Sequence, residues 1–409
     1  MSIVESAQDA SGLLGSDMFL WVQHNGVPEG PLRAYLQAAQ LPSSITDAIV
    51  SPDGKLNIPS SSLDLYTLSP GDIYSQAEET LTLLYQAVMY SLLHGHVDEK
   101  MNIGLFTDHT YGNHIRHVAE GVDKALLMGG YGDDATRVNG QIAAVLHDVP
   151  NVLSRSWHHL LGGRFARLIF PKLVRDKKRF KRIKHAMMLH HEAIYTEMYH
   201  LDKQPFDEKL VCFQKIHTPE SAALLFVDNL DMRRGRLYPN AYSPGVFDRH
   251  GHSEINALMN FLGFEKDDSR NIILSTEFNP WIEPEEMDLC EPLKTTKAYG
   301  DHFYCYASPK VRKDPRDPKS PADFHRTLRE MWGLYGPNSE YDADRITLML
   351  AAGFTLFPDS EQIVMRFTDR TGENEPVVYT FTRENVDQVM GGIREASGYV
   401  SLKGRCADH

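Results

Sequence analysis

Residues 143–152 read AAVLHDVPNV, and the fold turns on how this stretch is read. An apolar segment runs into His147 and Asp148 and then meets Pro150, which lacks an N–H and cannot continue a helix. The segment therefore reads as a core helix that ends on two adjacent ionisable side chains. Burying such groups alone is very costly, so they need partners. Neighbours at a helix end need not point 100° apart as they do within a helix, so both can reach one centre.

Working outward, residues from about 107 to 265 read as almost wholly helical, with apolar positions recurring at three and four residues. NHIRHVAEGVDKALLMGG closes on Gly129-Gly130; ATRVNGQIAAVLHD, HHLLGGRFARLIFPKLV, KRFKRIKHAMMLHHEAIYTEM and TPESAALLFVDNLDMRR follow. In the last, Thr218 suits an N-cap, with Pro219 at the first helical position. Gly129-Gly130 and Gly162-Gly163 read as helix ends or close packing. Upstream, SQAEETLTLLYQAVMYSLLHG is an amphipathic helix stopped at Gly95, preceded by turn signals at NGVPEG, SPDG and LSPGD. Downstream, KVRKDPRDPKSPADF reads as a linker or surface loop. DADRITLMLAAGF is a helix, QIVMRFTD and PVVYTFT are two strands, and ENVDQVMGGIREA is another helix. The expectation is a mainly α fold, a helical bundle core with a small α+β C-terminal unit. Residues 1–72 form an irregular N-terminal segment, 73–294 a helical metal-binding domain, and 295–409 a linker plus a small α+β domain.

Composition narrows the function. The net charge of −13 over 409 residues argues against a general nucleic-acid binder, since phosphate backbones reward basic surfaces. Cys212, Cys290, Cys305 and Cys406 are widely spaced, with no CxxC pair, which suggests a reducing compartment. MSIVESAQDASGLLGSD shows no basic stretch followed by an apolar one, and no run approaches 18 apolar residues. These features give the expectation of a cytoplasmic protein without a membrane partner; they leave the oligomeric state open. Of 19 histidines, 15 fall between His94 and His252, where an even spread would put about seven. Such clustering of the commonest metal-ligating side chain points to one chemical centre.

Within the helical region, His114, His147-Asp148, His190-His191-Glu192 and Asp228 each sit on an otherwise apolar segment. One such histidine alone is more often a satisfied core residue. Four segments each offering one favour a metal ion, which partners several at once, as bundles do with side chains from facing helices. Mixed imidazole and carboxylate donors suit first-row ions better than calcium. His117, one turn from His114, fits a surface or supporting role. Between Arg164 and Lys184 there are ten Lys or Arg against the single acid Asp176. That tract fits either a rim that attracts phosphate or a solvated helix face. There is no GxxxxGK[ST] loop, GxSxG elbow or HExxH.

The ordered set NHIRHVAEG, AAVLHDV, WHHLLGGRFARLIF, HHE and ESAALLFVDNLDMRRGRLY resembles the motifs of the HD superfamily of metal-dependent phosphohydrolases, most closely its HD-GYP branch. The likeness covers roughly residues 107 to 245. It implies an HD-type helical core and the metal ligands His114, His147, Asp148, His158, His190 and Asp228, with His191 a further candidate. His158 lies only ten residues after Asp148, so His159 and His185 are alternatives for its place. The resemblance implies two divalent ions (iron, manganese or zinc) bridged by Asp148, with Asp148 and His147 at the catalytic centre. Two such ions lower the pKa of a shared water and stabilise charge on phosphate oxygens. The function implied is a phosphohydrolase or phosphodiesterase acting on a nucleotide or another phosphorylated, anionic small molecule. Arg155, Arg233 and Arg234 are candidates to hold its phosphate, with Arg236 close by. Two features depart from the branch: Asn151 replaces the lysine of its HDIGK pattern, and no Gly-Tyr-Pro follows HHE. Cyclic-di-GMP is therefore not implied as the substrate. An HD-fold di-iron oxygenase of the myo-inositol oxygenase type uses a similar ligand set and is the alternative. A regulatory or scaffold HD protein without turnover is a third reading.

Overall fold

The computed structural model describes residues 33, 36–37, 41–53, 55–57, 62–94, 109–152, 158–191, 194–195, 199–201, 204–233, 236, 259–278, 342–369 and 375–396. In chain order these form α1 (Ser43–Ile49), α2 (Asp72–Gln76), α3 (Glu78–His94), α4 (Arg116–Met128), α5 (Asp134–Leu146), α6 (His158–Ile169), α7 (Lys177–Leu189), α8 (Phe206–Ile216) and α9 (Pro219–Leu230). Strands β1 (Met259–Lys266) and β2 (Ile272–Phe278) follow, then α10 (Asp342–Leu356), β3 (Gln362–Asp369), β4 (Val377–Thr382) and α11 (Val386–Ala396). The described chain is mainly α with one small four-stranded sheet. Among the described residues no helix is long and apolar enough to cross a membrane.

Local chemistry sets the helix ends. Asp133 caps α5 by accepting from the Thr136 amide at 2.9 Å, and Asp176 caps α7 through the Lys178 and Arg179 amides. Thr218 and Ser221 close a reciprocal capping box at the start of α9, with Pro219 in the first turn. Helix α4 stops where Gly130 takes φ +85°, a conformation only glycine adopts cheaply. Helix α6 stops at Ile169, ahead of Pro171.

Helix α9 is the axis of the core. It packs on α4, α5, α7 and α10, and Ala222, Ala223, Leu224, Leu225 and Phe226 are fully buried, as expected of a helix apolar all round. The Phe226 ring meets Phe264 of β1 and Phe357 beyond α10, each edge-on at 5.5 Å, so the sheet shares the helical core. Each such phenylalanine contributes roughly 1.5–3 kcal/mol through burial. The paired glycines divide as their packing requires. A Cβ on Gly162 would lie 2.7 Å from Met187 Cε, so its absence lets α6 and α7 touch.

The strand order is β1-β2-β3-β4: β1–β2 and β3–β4 are antiparallel, and β2–β3 are parallel with Ile272 opposite Ile363. In β3, Ile363, Met365 and Phe367 are buried while the residues between them are not. The helices and two strands expected after residue 340 are present.

Two expectations change. The helical reading up to residue 265 fails at its end, because Met259–Lys266 is a strand. Its alternation is masked by a bulge between Phe261 and Gly263, where Gly263 has φ +143°. Strand β2 was not expected; α8 falls within the stretch read as helical, and its Phe206, Leu210 and Phe213 recur at helical spacing and are buried. A boundary near residue 295 would separate β2 from β3, which are hydrogen-bonded neighbours. The proline-rich linker, Arg155, Glu192, Arg234, Cys290, Cys305 and Cys406 lie outside the described residues.

Candidate metal centre

Helix α5 delivers the doublet to the interior. Its last carbonyls have no partner within the helix; that of Val145 accepts from the buried Tyr85 hydroxyl of α3 at 3.0 Å. His147 keeps helical dihedrals at the C-cap, and the chain then tightens into the 3-10 turn Val149–Val152. His147 Nε2 and Asp148 Oδ2 converge at 3.4 Å, so the two side chains do reach one point.

Around that point lie His114 from the turn before α4, His190 at the C-cap of α7, His158 at the start of α6, and Asp228 near the end of α9. His114 Nε2 is 3.5 Å from Asp148 Oδ2 and 3.4 Å from Asp228 Oδ1. His147 Nε2 is 3.6 Å from Asp228 Oδ1. The other oxygen, Asp148 Oδ1, is 3.4 Å from His158 Nε2, which in turn is 3.0 Å from His190 Nε2. Asp148 thus faces histidines with both oxygens. All six groups expected from sequence come together, and buried His and Asp side chains lie close enough to hold a metal ion. The side chains of His114, His147, Asp148 and His158 are at most 4% exposed, whereas that of Asp228 is 15% exposed and marks the open side.

The donor set fits a cation on independent grounds. Metal–nitrogen and metal–oxygen bonds near 2.0–2.2 Å place two ligands of one ion about 3.0–3.5 Å apart, the range of most of these separations. Three of the imidazoles are fixed through Nδ1. His147 donates to the Ala144 carbonyl at 2.7 Å, His190 to the Met187 carbonyl at 2.6 Å, and His114 to Asp231 Oδ2 at 2.6 Å. Those anchors leave each Nε2 to face the centre, the arrangement a metal ligand needs. His147 Nε2 is buried and has no hydrogen-bond partner, so a bound cation would satisfy an orphaned atom.

Electrostatics agree. Burial alone would lower the His147 pKa, but Asp148 and then Asp228 push it up to about 10. Burial also works against Asp148 and Asp228, yet the facing histidines hold both carboxyls well below the usual range. His114 is raised by Asp148, Asp228 and Asp231 against burial and Arg236. Burial, reinforced by His147, brings His190 down to about 4. Without a cation, protons on the histidines balance two buried carboxylates; a metal would take over that charge and release protons.

No family model, curated protein or solved structure matches the chain. The centre therefore stands on its own geometry.

The remaining candidates separate. His159 and His191 join His158 in an adjoining group of three imidazoles. His185 belongs to none of the groups found among the described residues, and neither does His117. Arg233 is committed: it bonds the Asp231 carboxylate and donates to the Asn113 carbonyl at 2.7 Å. Arg236, buried, donates to the Asp231 carbonyl at 2.8 Å. In the basic tract, Arg179 donates to Asn139 Oδ1 at 2.9 Å and lies over the Tyr66 ring, while Arg182 pairs at 2.9 Å with the buried Glu220. Lys177, Lys178, Lys181 and Lys184 are exposed. At 1.5 Å per residue, even Lys184 stands about 9 Å along α7 from His190. The exposed lysines match the solvated-face reading, whereas Arg179 and Arg182 are taken up by partners within the protein.

Sequence reasoning missed three supporting residues. His109 Nε2 lies 3.7 Å from Asp148 Oδ2, but it precedes the first turn in a stretch without periodicity. Asp231 was visible as a second aspartate three residues after Asp228, without a role. Asn151 stood out only as a replaced lysine; its amide donates to Asp148 Oδ1 at 2.8 Å.

Proposed function

We propose that the chain is a metal-dependent hydrolase of phosphoric esters, built on a binuclear centre held by His114, His147, Asp148, His158, His190 and Asp228. The observation that carries this reading is the placement of Asp148: one oxygen faces His114 and His147, the other faces His158 and thereby His190. A carboxylate that serves two clusters suits two divalent ions, for which iron, manganese and zinc all accept these donors. When bound, such ions supply an acidified water and Lewis-acid stabilisation of developing charge.

The chain's own residues do the rest. The Nδ1 anchors of His114, His147 and His190 hold the ligands in one orientation, and the apolar wall of α5 and α9 excludes bulk water. Asp228, on the open side, is where an anionic substrate would approach. The order of the motifs along the chain, which resembles the HD superfamily, supports the same reading.

A second reading, a di-iron oxygenase, is favoured by one observation. The position that would carry a phosphate-gripping lysine holds Asn151, which is fully buried and turned onto Asp148.

Purified full-length chain should be assayed with manganese against nucleotides and a generic phosphodiester. Hydrolysis that vanishes in Asp148→Ala supports the first reading, and hydrolysis unchanged in that variant sinks it. A coupled iron pair by Mössbauer spectroscopy, with oxygen uptake and no phosphate release, would install the second.

A further inference from the structure

Helices α5 and α7 end in the same way. Each carries a candidate ligand at its C-cap, His147 and His190, and each ring donates from Nδ1 to the carbonyl three residues back, that of Ala144 or Met187. The other last carbonyls of a helix have no partner within it, and in each case a buried tyrosine closes one of them. The Tyr85 hydroxyl donates to Val145, two residues before His147, and the Tyr195 hydroxyl donates to Leu189, directly before His190.

A further group stands behind Tyr195. Its one hydroxyl proton goes to the Leu189 carbonyl, which can only accept, so His217 Nε2, at 2.8 Å, donates to the Tyr195 oxygen. His217 Nδ1 is then left to accept from the Ser221 hydroxyl at 3.1 Å, in the capping box of α9. The Tyr195 ring is held separately, stacked on Phe213 at 4.8 Å. The line Ser221–His217–Tyr195–Leu189 thus ties the end of α7 to the start of α9, the helix that bears Asp228 near its other end.

We propose that Tyr195, aimed by His217, is a positioning residue for His190. This rests on the metal centre proposed above and adds two residues that touch none of its ligand atoms. Leu189 is buried, so its carbonyl, deprived of the hydroxyl, has no water to turn to and is costly to leave unpaired. The last turn of α7 then twists towards another donor, and His190 moves with it. His190 enters two of the ligand groups, one with His147 and Asp228 and one with Asp148 and His158, so its rotation disturbs both.

The test uses the full-length chain and cobalt(II), whose visible bands report the number and geometry of its ligands. Tyr195→Phe keeps the ring and removes the hydroxyl. It should weaken cobalt binding about tenfold, the lower end of what partners of a ligand are worth, and shift the bands. His217→Phe should do the same, and the two together should do no more than Tyr195→Phe alone. His217→Gln keeps an N–H for Tyr195 and should bind within about twofold of the parent. Unchanged cobalt affinity and bands in Tyr195→Phe, with only a lower melting temperature, would make the line a structural brace and overturn the proposal. If Tyr195→Phe does not fold, the His217 variants decide: weaker binding by His217→Phe than by His217→Gln supports the assignment, and equal affinities overturn it. A parent that binds cobalt and hydrolyses nothing, yet shows these losses, leaves the assignment standing while the hydrolase reading falls. A parent that hydrolyses a phosphodiester, and whose Tyr195→Phe form binds cobalt as tightly, does the reverse. A parent that binds no cobalt overturns both.

Discussion

His114 Nδ1 and Asp231 Oδ2 lie 2.6 Å apart in the buried core, linking an imidazole of the candidate metal centre to a carboxylate that two arginines also hold. Burial alone would raise the Asp231 pKa, but Arg236 and His114 outweigh it and keep the carboxyl well below its usual range. Asp231 therefore accepts from His114 at every working pH, turning Nε2 of that ring towards Asp148 and Asp228.

Replacing Asp231 by Asn keeps the size but removes the charge that orients His114. Outer partners of this kind are typically worth about 10–100-fold in metal affinity, so Asp231→Asn should weaken binding by that factor in competition with a chelator. An affinity within twofold of the parent would make Asp231 a brace for Arg233 and Arg236 only.

Asn151 gives a prediction that depends on the occupant of the centre. Its amide is a donor to a buried carboxylate, while its own Oδ1 is buried without a hydrogen-bond partner. Asn151→Leu should cost the metal-free chain about 1–2 kcal/mol, a charge-assisted bond offset by relief of the unpaired oxygen. The metal-loaded chain should lose less, because a cation then compensates Asp148. Melting curves with and without added metal decide it: equal losses in both states would contradict the assigned role of Asn151.

Much of this was legible in the sequence, for a physical reason. Apolar periodicity marks helices that bury one face, so α4, α5, α7 and α9 stood out, and a polar doublet at the end of a core helix announces a site. Distances between elements were not legible. Nothing in the string says that Asp231 reaches His114, 117 residues away, or that β2 runs beside β3 in parallel. Local irregularity hid the rest: the bulge at Gly263 breaks the alternation of β1, and His109 sits where no period assigns a direction. The basic tract stayed open between two readings because charge density along the chain does not reveal which end of a helix faces the centre.

Close approach of α4 and α9 sets the position of Asp228. A Cβ on Gly121 would lie 2.5 Å from Val227 Cγ1, and a β-branched side chain in a helix has little freedom to turn away. Gly121→Val should therefore cost about 1–3 kcal/mol by overpacking and weaken metal binding by displacing the neighbouring Asp228. Gly392→Ala in α11 serves as the control, because nothing lies within 4 Å of its added carbon; it should gain up to about 1 kcal/mol. Unaltered melting and metal affinity in Gly121→Val would show that the two helices can part freely.

The last prediction concerns acid stability away from the centre. His217 stacks on Phe213 at 4.6 Å; its Nε2 donates to the Tyr195 hydroxyl at 2.8 Å, and its Nδ1 lies 3.1 Å from Ser221 Oγ. Burial, with the nearby His185 adding to it, lowers its pKa to about 3. The ordinary histidine value is about 6.5, so the unfolded chain takes up a proton that the folded chain refuses. The stability this provides is complete above pH 6.5 and is lost progressively as pH falls from 6.5 towards 3. Between pH 7.5 and 5.0 the loss should be on the order of 2 kcal/mol. His217→Gln does not titrate, so urea unfolding at the two pH values should show a drop smaller by that amount than in the parent. Other groups cancel in the comparison, and identical drops would mean that His217 accepts a proton in the folded chain as readily as in water.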